Sequence, residues 1–116
     1  MKGIVITPEN EISIKEFGED YMTELKEVIG GWPEHVHPRL LEPPFCIFVD
    51  DEGLRKDLPV NFVGCFLYET LLHGHFIVGT IVFLKDDGPN IVGLSDEEIT
   101  YLCDKLMRTF NLKGDI

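Results

Sequence analysis

The sequence is short of cysteine, of cationic side chains and of long apolar runs, and each shortage excludes something. Cys46, Cys65 and Cys103 are odd in number and widely spaced. Without a C-x-x-C pair they make neither a disulfide framework nor a zinc knuckle, and a reducing compartment is expected. Ten Lys and Arg face 21 Asp and Glu in 116 residues, a formal net charge of −11. Such a surface repels phosphate backbones and anionic lipid, which excludes nucleic acid and membrane as direct ligands. The acidic excess is spread along the chain with no acidic tail. No apolar run approaches the roughly 18–20 residues of a spanning helix. The opening MKGIVITPENE turns acidic before a signal peptide's apolar region forms, so the expected location is the cytoplasm. The glycines spell neither G-x-G-x-x-G nor a P-loop. The acidic turn Asp50-Asp51-Glu52-Gly53 has Asn61 where a calcium loop needs its closing glutamate.

What is present is ordinary globular composition, 44% hydrophobic and 27% charged, and the length fits one domain over residues 1–116. Ile4 with Ile6 and Ile12 with Ile14 alternate on either side of Pro8-Glu9-Asn10, which predicts an opening β-hairpin. Over residues 20–29, Tyr21, Met22, Leu25, Val28 and Ile29 form a helical stripe ended by Gly30-Gly31. Residues 33–41, bracketed by Pro33 and Pro38, read as a short extended piece. The continuous run FCIFV over 45–49 reads as a buried central strand. Residues 54–70 are broken by Leu58-Pro59-Val60-Asn61, and residues 75–84 read as one strand with a bulge at Gly79. After a turn at Asp86-Asp87-Gly88-Pro89 comes a short segment, 90–92. Ser95 and Glu98 form a capping box for a last helix carrying Ile99, Leu102, Cys103, Leu106, Met107 and Phe110 on one stripe. The order predicts an α+β domain: a mostly antiparallel sheet with an opening hairpin and two main helices on one face.

The residues able to carry chemistry are few. All four histidines stand in H-x-H pairs, His35 with His37 and His73 with His75. On an extended strand such neighbours share a face, so the two pairs could offer four nitrogens to Zn²⁺ or Ni²⁺. Solvent-facing or locally bonded imidazoles are the plainer account. Cys46 and Cys65 lie in apolar runs, where burial makes a thiol inert, and Cys103 is on the buried helical stripe, so packing is expected in place of nucleophilic catalysis. Trp32, at the junction after Gly30-Gly31, is either a core lid or an interface anchor. It leads the interaction candidates, followed by Tyr68 with the nearby Phe66 and Leu67, where the broken segment is expected to expose apolar surface, and by Glu34 and the acidic turn Asp50, Asp51 and Glu52.

Three stretches carry a family resemblance: LKEVIGGWPEHV, then FVDDEGLRKDLPVN, then FIVGTIVFL followed by GLSDEEI. In this order they resemble a domain-of-unknown-function family of bacteriophages and conjugative or mobile elements of Gram-positive and gut bacteria. The resemblance implies an accessory protein of such an element and brings no catalytic residue or cofactor with it. His35 and His37 replace an aliphatic strand there, which would make a metal site particular to this chain. The expected function is therefore non-enzymatic: an acidic protein that binds and modulates a host or element-encoded protein, as in counter-defence, with a basic partner favoured by charge. DNA mimicry would need a denser acidic stripe. The alternative expectation is a small-molecule or metal-binding protein using the two histidine pairs, without other cofactors.

Overall fold

In the structure, a computed structural model that describes residues 1–114, the alternating isoleucines form β1 (Lys2–Ile6) and β2 (Ile12–Glu16), paired antiparallel with Ile4 opposite Ile14. Asn10 takes the left-handed conformation at their turn, with φ 63°. The stripe of residues 20–29 becomes α1 (Tyr21–Ile29), closed by Gly30 at φ 86°, whose N–H donates to the Lys26 carbonyl at 2.7 Å. There follow β3 (Pro33–Val36), β4 (Phe45–Asp50), α2 (Phe62–Leu67), α3 (Thr70–His73), β5 (Ile81–Asp87), β6 (Asn90–Val92) and α4 (Asp96–Thr109).

All strand pairs are antiparallel in the order β2-β1-β5-β4-β3, with β6 hairpinned onto β5. The α+β class, the antiparallel sheet and the opening hairpin are as expected from the sequence. The placement of the helices is not. Val5, Cys46, Phe48, Val82 and Leu84 pack with Leu25 and Ile29 of α1 on one face. Ile4, Ile6, Ile47 and Phe83 pack with Ile99, Leu102 and Leu106 of α4 on the other. The two main helices therefore cover opposite faces and the sheet is the middle of three layers. Every residue of β4 is buried, as a strand covered on both sides must be.

Residues 75–84 do not form one strand. Gly79 at φ 79° turns the backbone, and the piece before it runs beside residues 59–61. There the Asn61 N–H donates to the Ile77 carbonyl at 2.9 Å and the Gly79 N–H to the Pro59 carbonyl at 2.8 Å. Only β5 beyond the turn crosses the sheet, between β1 and β4. The capping box of α4 is complete: the Glu98 N–H donates to Ser95 Oγ at 3.1 Å and the Ser95 N–H to Glu98 Oε1 at 2.8 Å.

Candidate functional site

On the α4 face, beyond the edge strand β3, a cavity of about 240 Å³ opens between β3, the end of β4 and residues 75–78. Glu34, Asp51, Tyr68 and His75 supply its polar lining, with Asp50 at its edge, and Val36, Val49 and Phe76 its apolar part. Glu34 and Asp51 are exposed and take no cationic partner among the described residues. Asp50 differs. It is 5% exposed, and its carboxylate accepts from Lys56 Nζ at 2.7 Å and from the Glu52 N–H at 2.9 Å. Asp50 thus fastens the turn and is not free to meet a partner.

Phe76 also lines a second cavity of about 400 Å³, walled by Phe62, Phe66, Leu71 and Phe110 and almost wholly apolar. The surface around it is exposed: Phe62 at 65%, Leu72 at 74% and Leu71 completely. The helices responsible are short, and they turn buried residues inward (Val63 and Leu67 from α2, Thr70 from α3), leaving their other large side chains outside. An acidic cavity and an apolar one thus share a wall.

Of the interaction candidates, Glu34, Tyr68, Asp50 and Asp51 meet at the first cavity, while Trp32 and Glu52 do not line it. Trp32 is no core lid: it is 64% exposed, with Lys26 Nζ 3.5 Å from the ring centroid. Glu52 pairs with Arg55 on the turn's outer side. Phe66, a neighbour of Tyr68 among the candidates, is exposed at the apolar cavity, whereas Phe62, Leu71 and Phe76 were missed by sequence reasoning. Their signal was the apolar density of residues 62–76, too high for two such short helices to bury.

His37, His73 and His75 line one open pocket with Tyr68 and Glu69, but the two pairs are committed to different partners. His73 Nδ1 accepts from the His75 N–H at 3.1 Å, so its proton sits on Nε2, which donates to the Tyr68 carbonyl at 2.7 Å. Both nitrogens are committed and no lone pair remains for a metal, so the four-histidine site does not assemble. The other pair finds new company on the α1 face. His35 Nε2 lies 2.9 Å from Asp86 Oδ1 and His37 Nε2 lies 2.5 Å from Asp86 Oδ2. Cys46, in the neighbouring strand, joins them. The ligand atoms of His35, Cys46 and Asp86 lie within 4.8 Å of one another. Burial, reinforced by the Asp86 carboxylate, pushes the Cys46 thiol up to about 12. It stays protonated unless a cation stands beside it. Of the other thiols, Cys103 is buried, which raises its pKa, whereas Cys65 is half-buried at the wall of the apolar cavity, its Sγ donating to the Ile77 carbonyl at 3.2 Å.

Sheet, flanking helices and the paired cavities define a small three-layer α+β domain with an acidic and apolar surface at one sheet edge. The chain belongs to the family described as Domain of unknown function (DUF3846), whose model matches residues 1–110. That agrees with the resemblance read from the sequence as far as the domain goes, and says nothing of phage or mobile-element origin. Comparison with the curated proteins and with the solved structures gave no match. Among the described residues no helix is long and apolar enough to cross a membrane.

Proposed function

We propose that this chain is a non-enzymatic docking module that takes a basic, apolar segment of a partner protein across its two adjoining cavities. The observation that carries the reading is the shared Phe76 wall: unpaired Glu34 and Asp51 stand on one side of it and the exposed aromatic and leucine surface on the other. Lys or Arg of the partner would meet the carboxylates while its neighbouring aliphatic or aromatic side chain enters the apolar cavity. Charge selects the occupant. A second copy would bring another −11 to the same surface, whereas a basic segment is attracted and steered. The resemblance to phage and mobile-element proteins makes a host or element-encoded protein in the bacterial cytoplasm the partner class, with counter-defence as the use.

A random-peptide display selection against the purified chain tests this. Enriched peptides should carry Lys or Arg beside an aromatic or aliphatic residue, and their binding should weaken at high salt. It should be lost in the pair Glu34→Gln and Phe76→Ser and kept in Trp32→Ala. No enrichment, enrichment of acidic peptides, or binding indifferent to the paired substitution would overturn the reading. So would a chain that sediments as a dimer through this surface.

A further inference from the structure

We infer that His35, His37, Cys46 and Asp86 form a binding site for one borderline-soft divalent cation, with Zn²⁺ as the metal its donor set selects. Three adjacent strands bring His35, Cys46 and Asp86 together, and His37, one residue past the end of β3, reaches the same carboxylate. His35 lies opposite Phe48 of β4 in the antiparallel register, and Phe48 opposite Val82 of β5. Cys46 lies two residues before Phe48, and Asp86 two beyond Leu84, which faces Cys46, so all point to the α1 side. His37 continues the row of His35, their ring centroids 4.4 Å apart, and His35 is held by stacking on Phe48 at 5.0 Å.

The donor set is two imidazole nitrogens, one carboxylate and one thiolate. Ca²⁺ and Mg²⁺ take oxygen ligands, whereas nitrogen with sulfur is the chemistry of Zn²⁺ in four-coordinate tetrahedral sites. Zn–N and Zn–O bonds of about 2.0–2.1 Å at a tetrahedral angle separate their ligand atoms by about 3.3 Å. The His35–Asp86 separation of 2.9 Å is already close to that. The same geometry accounts for one carboxylate facing two imidazoles: without metal it is hydrogen-bonded to His37 and lies 2.9 Å from His35 Nε2, and with metal all three turn their lone pairs inward. Cys46 is fully buried and Asp86 partly so, which gives the cation a floor shielded from water, while His37 is exposed and forms the rim.

Titration calorimetry with Zn²⁺ alone and absorption spectroscopy with Co²⁺ test the site. We expect one ion per chain, a rise in melting temperature on adding Zn²⁺, and a thiolate-to-Co²⁺ charge-transfer band in the near ultraviolet. The band should vanish in Cys46→Ser. Affinity should fall by about tenfold or more in His35→Ala and in Asp86→Asn, since even groups behind a metal ligand matter that much. It should be unchanged in His73→Ala and His75→Ala. Should Cys46→Ser fail to fold, Asp86→Asn and His37→Ala, at the more open positions, decide. Absence of binding, a Co²⁺ spectrum without the thiolate band, binding indifferent to Asp86, or binding that depends on His73 would overturn the assignment. The peptide selection reads a surface on the other face of the sheet, so the two proposals fail separately.

Discussion

Asn61 divides its side-chain amide among three segments of backbone. Its Nδ2 donates to the Ile6 carbonyl at 3.1 Å and to the Gly79 carbonyl at 2.9 Å, while its Oδ1 accepts from the Gly64 N–H at 3.0 Å. It is fully buried, so water cannot replace any of these bonds. Asn61→Ala should cost about 2–4 kcal/mol in urea unfolding, because two carbonyls and one N–H are left without partners. Asn61→Asp should also destabilise, since a carboxylate would face two carbonyl oxygens with nothing to donate. In the sequence this residue registered as part of a chain break near Pro59 and as the misfit of a calcium loop, and not as a buried hydrogen-bonding hub. Its acceptors stand 55 and 18 residues away, and no local pattern reports so distant a bond. The candidate metal cluster is half legible for the same reason. The spacing of His35 and His37 shows that they share a face, but Asp86 and Cys46 join them only through strand pairing. Asp50, chosen for its charge, turned out to be spent on Lys56.

Among the elements, α4 was the most legible because its signals are local. Ser95→Ala should cost about 1 kcal/mol through loss of the cap, measured by chemical denaturation. Glu98 is held below its ordinary value of 4.5, first by the Ser95 backbone N–H and then by the Lys85 ammonium, 2.9 Å away. A lowered carboxylate pKa contributes stability above the ordinary value and loses it as pH falls through the folded one. Glu98→Gln can keep the capping bond but gives up the charge. The variant should therefore be less stable at neutral pH by about 0.5–1 kcal/mol, with the gap closing below pH 4.5, followed by thermal denaturation across pH. The side of the sheet that each helix takes was not legible from helical stripes, which show that one face is buried and not against what. The better clue lay in FCIFV. A strand apolar at every position needs cover on both faces, and α1 and α4 provide it.

At the scale of the whole molecule, about 32 × 30 × 28 Å, the apolar surface of α2 and α3 stands out against a chain of net charge −11. If that surface serves a partner and not the fold, changing it should leave stability alone. Leu71→Lys with Leu72→Lys should shift unfolding by no more than about 0.5 kcal/mol each, and the melting temperature should not depend on protein concentration. A large loss would mean that these leucines are buried between copies. The sheet's strand order has a different kind of consequence. β1 is flanked by its hairpin partner β2 and by β5, with Ile4 opposite Phe83, so the first strand of this domain waits for one made about 75 residues later. Until β5 emerges, neither layer of helices has a sheet to cover, and pairing so distant along the chain is slow to nucleate. Synthesis must therefore pass β5 before the sheet closes around β1. In that interval the nascent strands depend on their acidic neighbours, or on a chaperone, to stay apart.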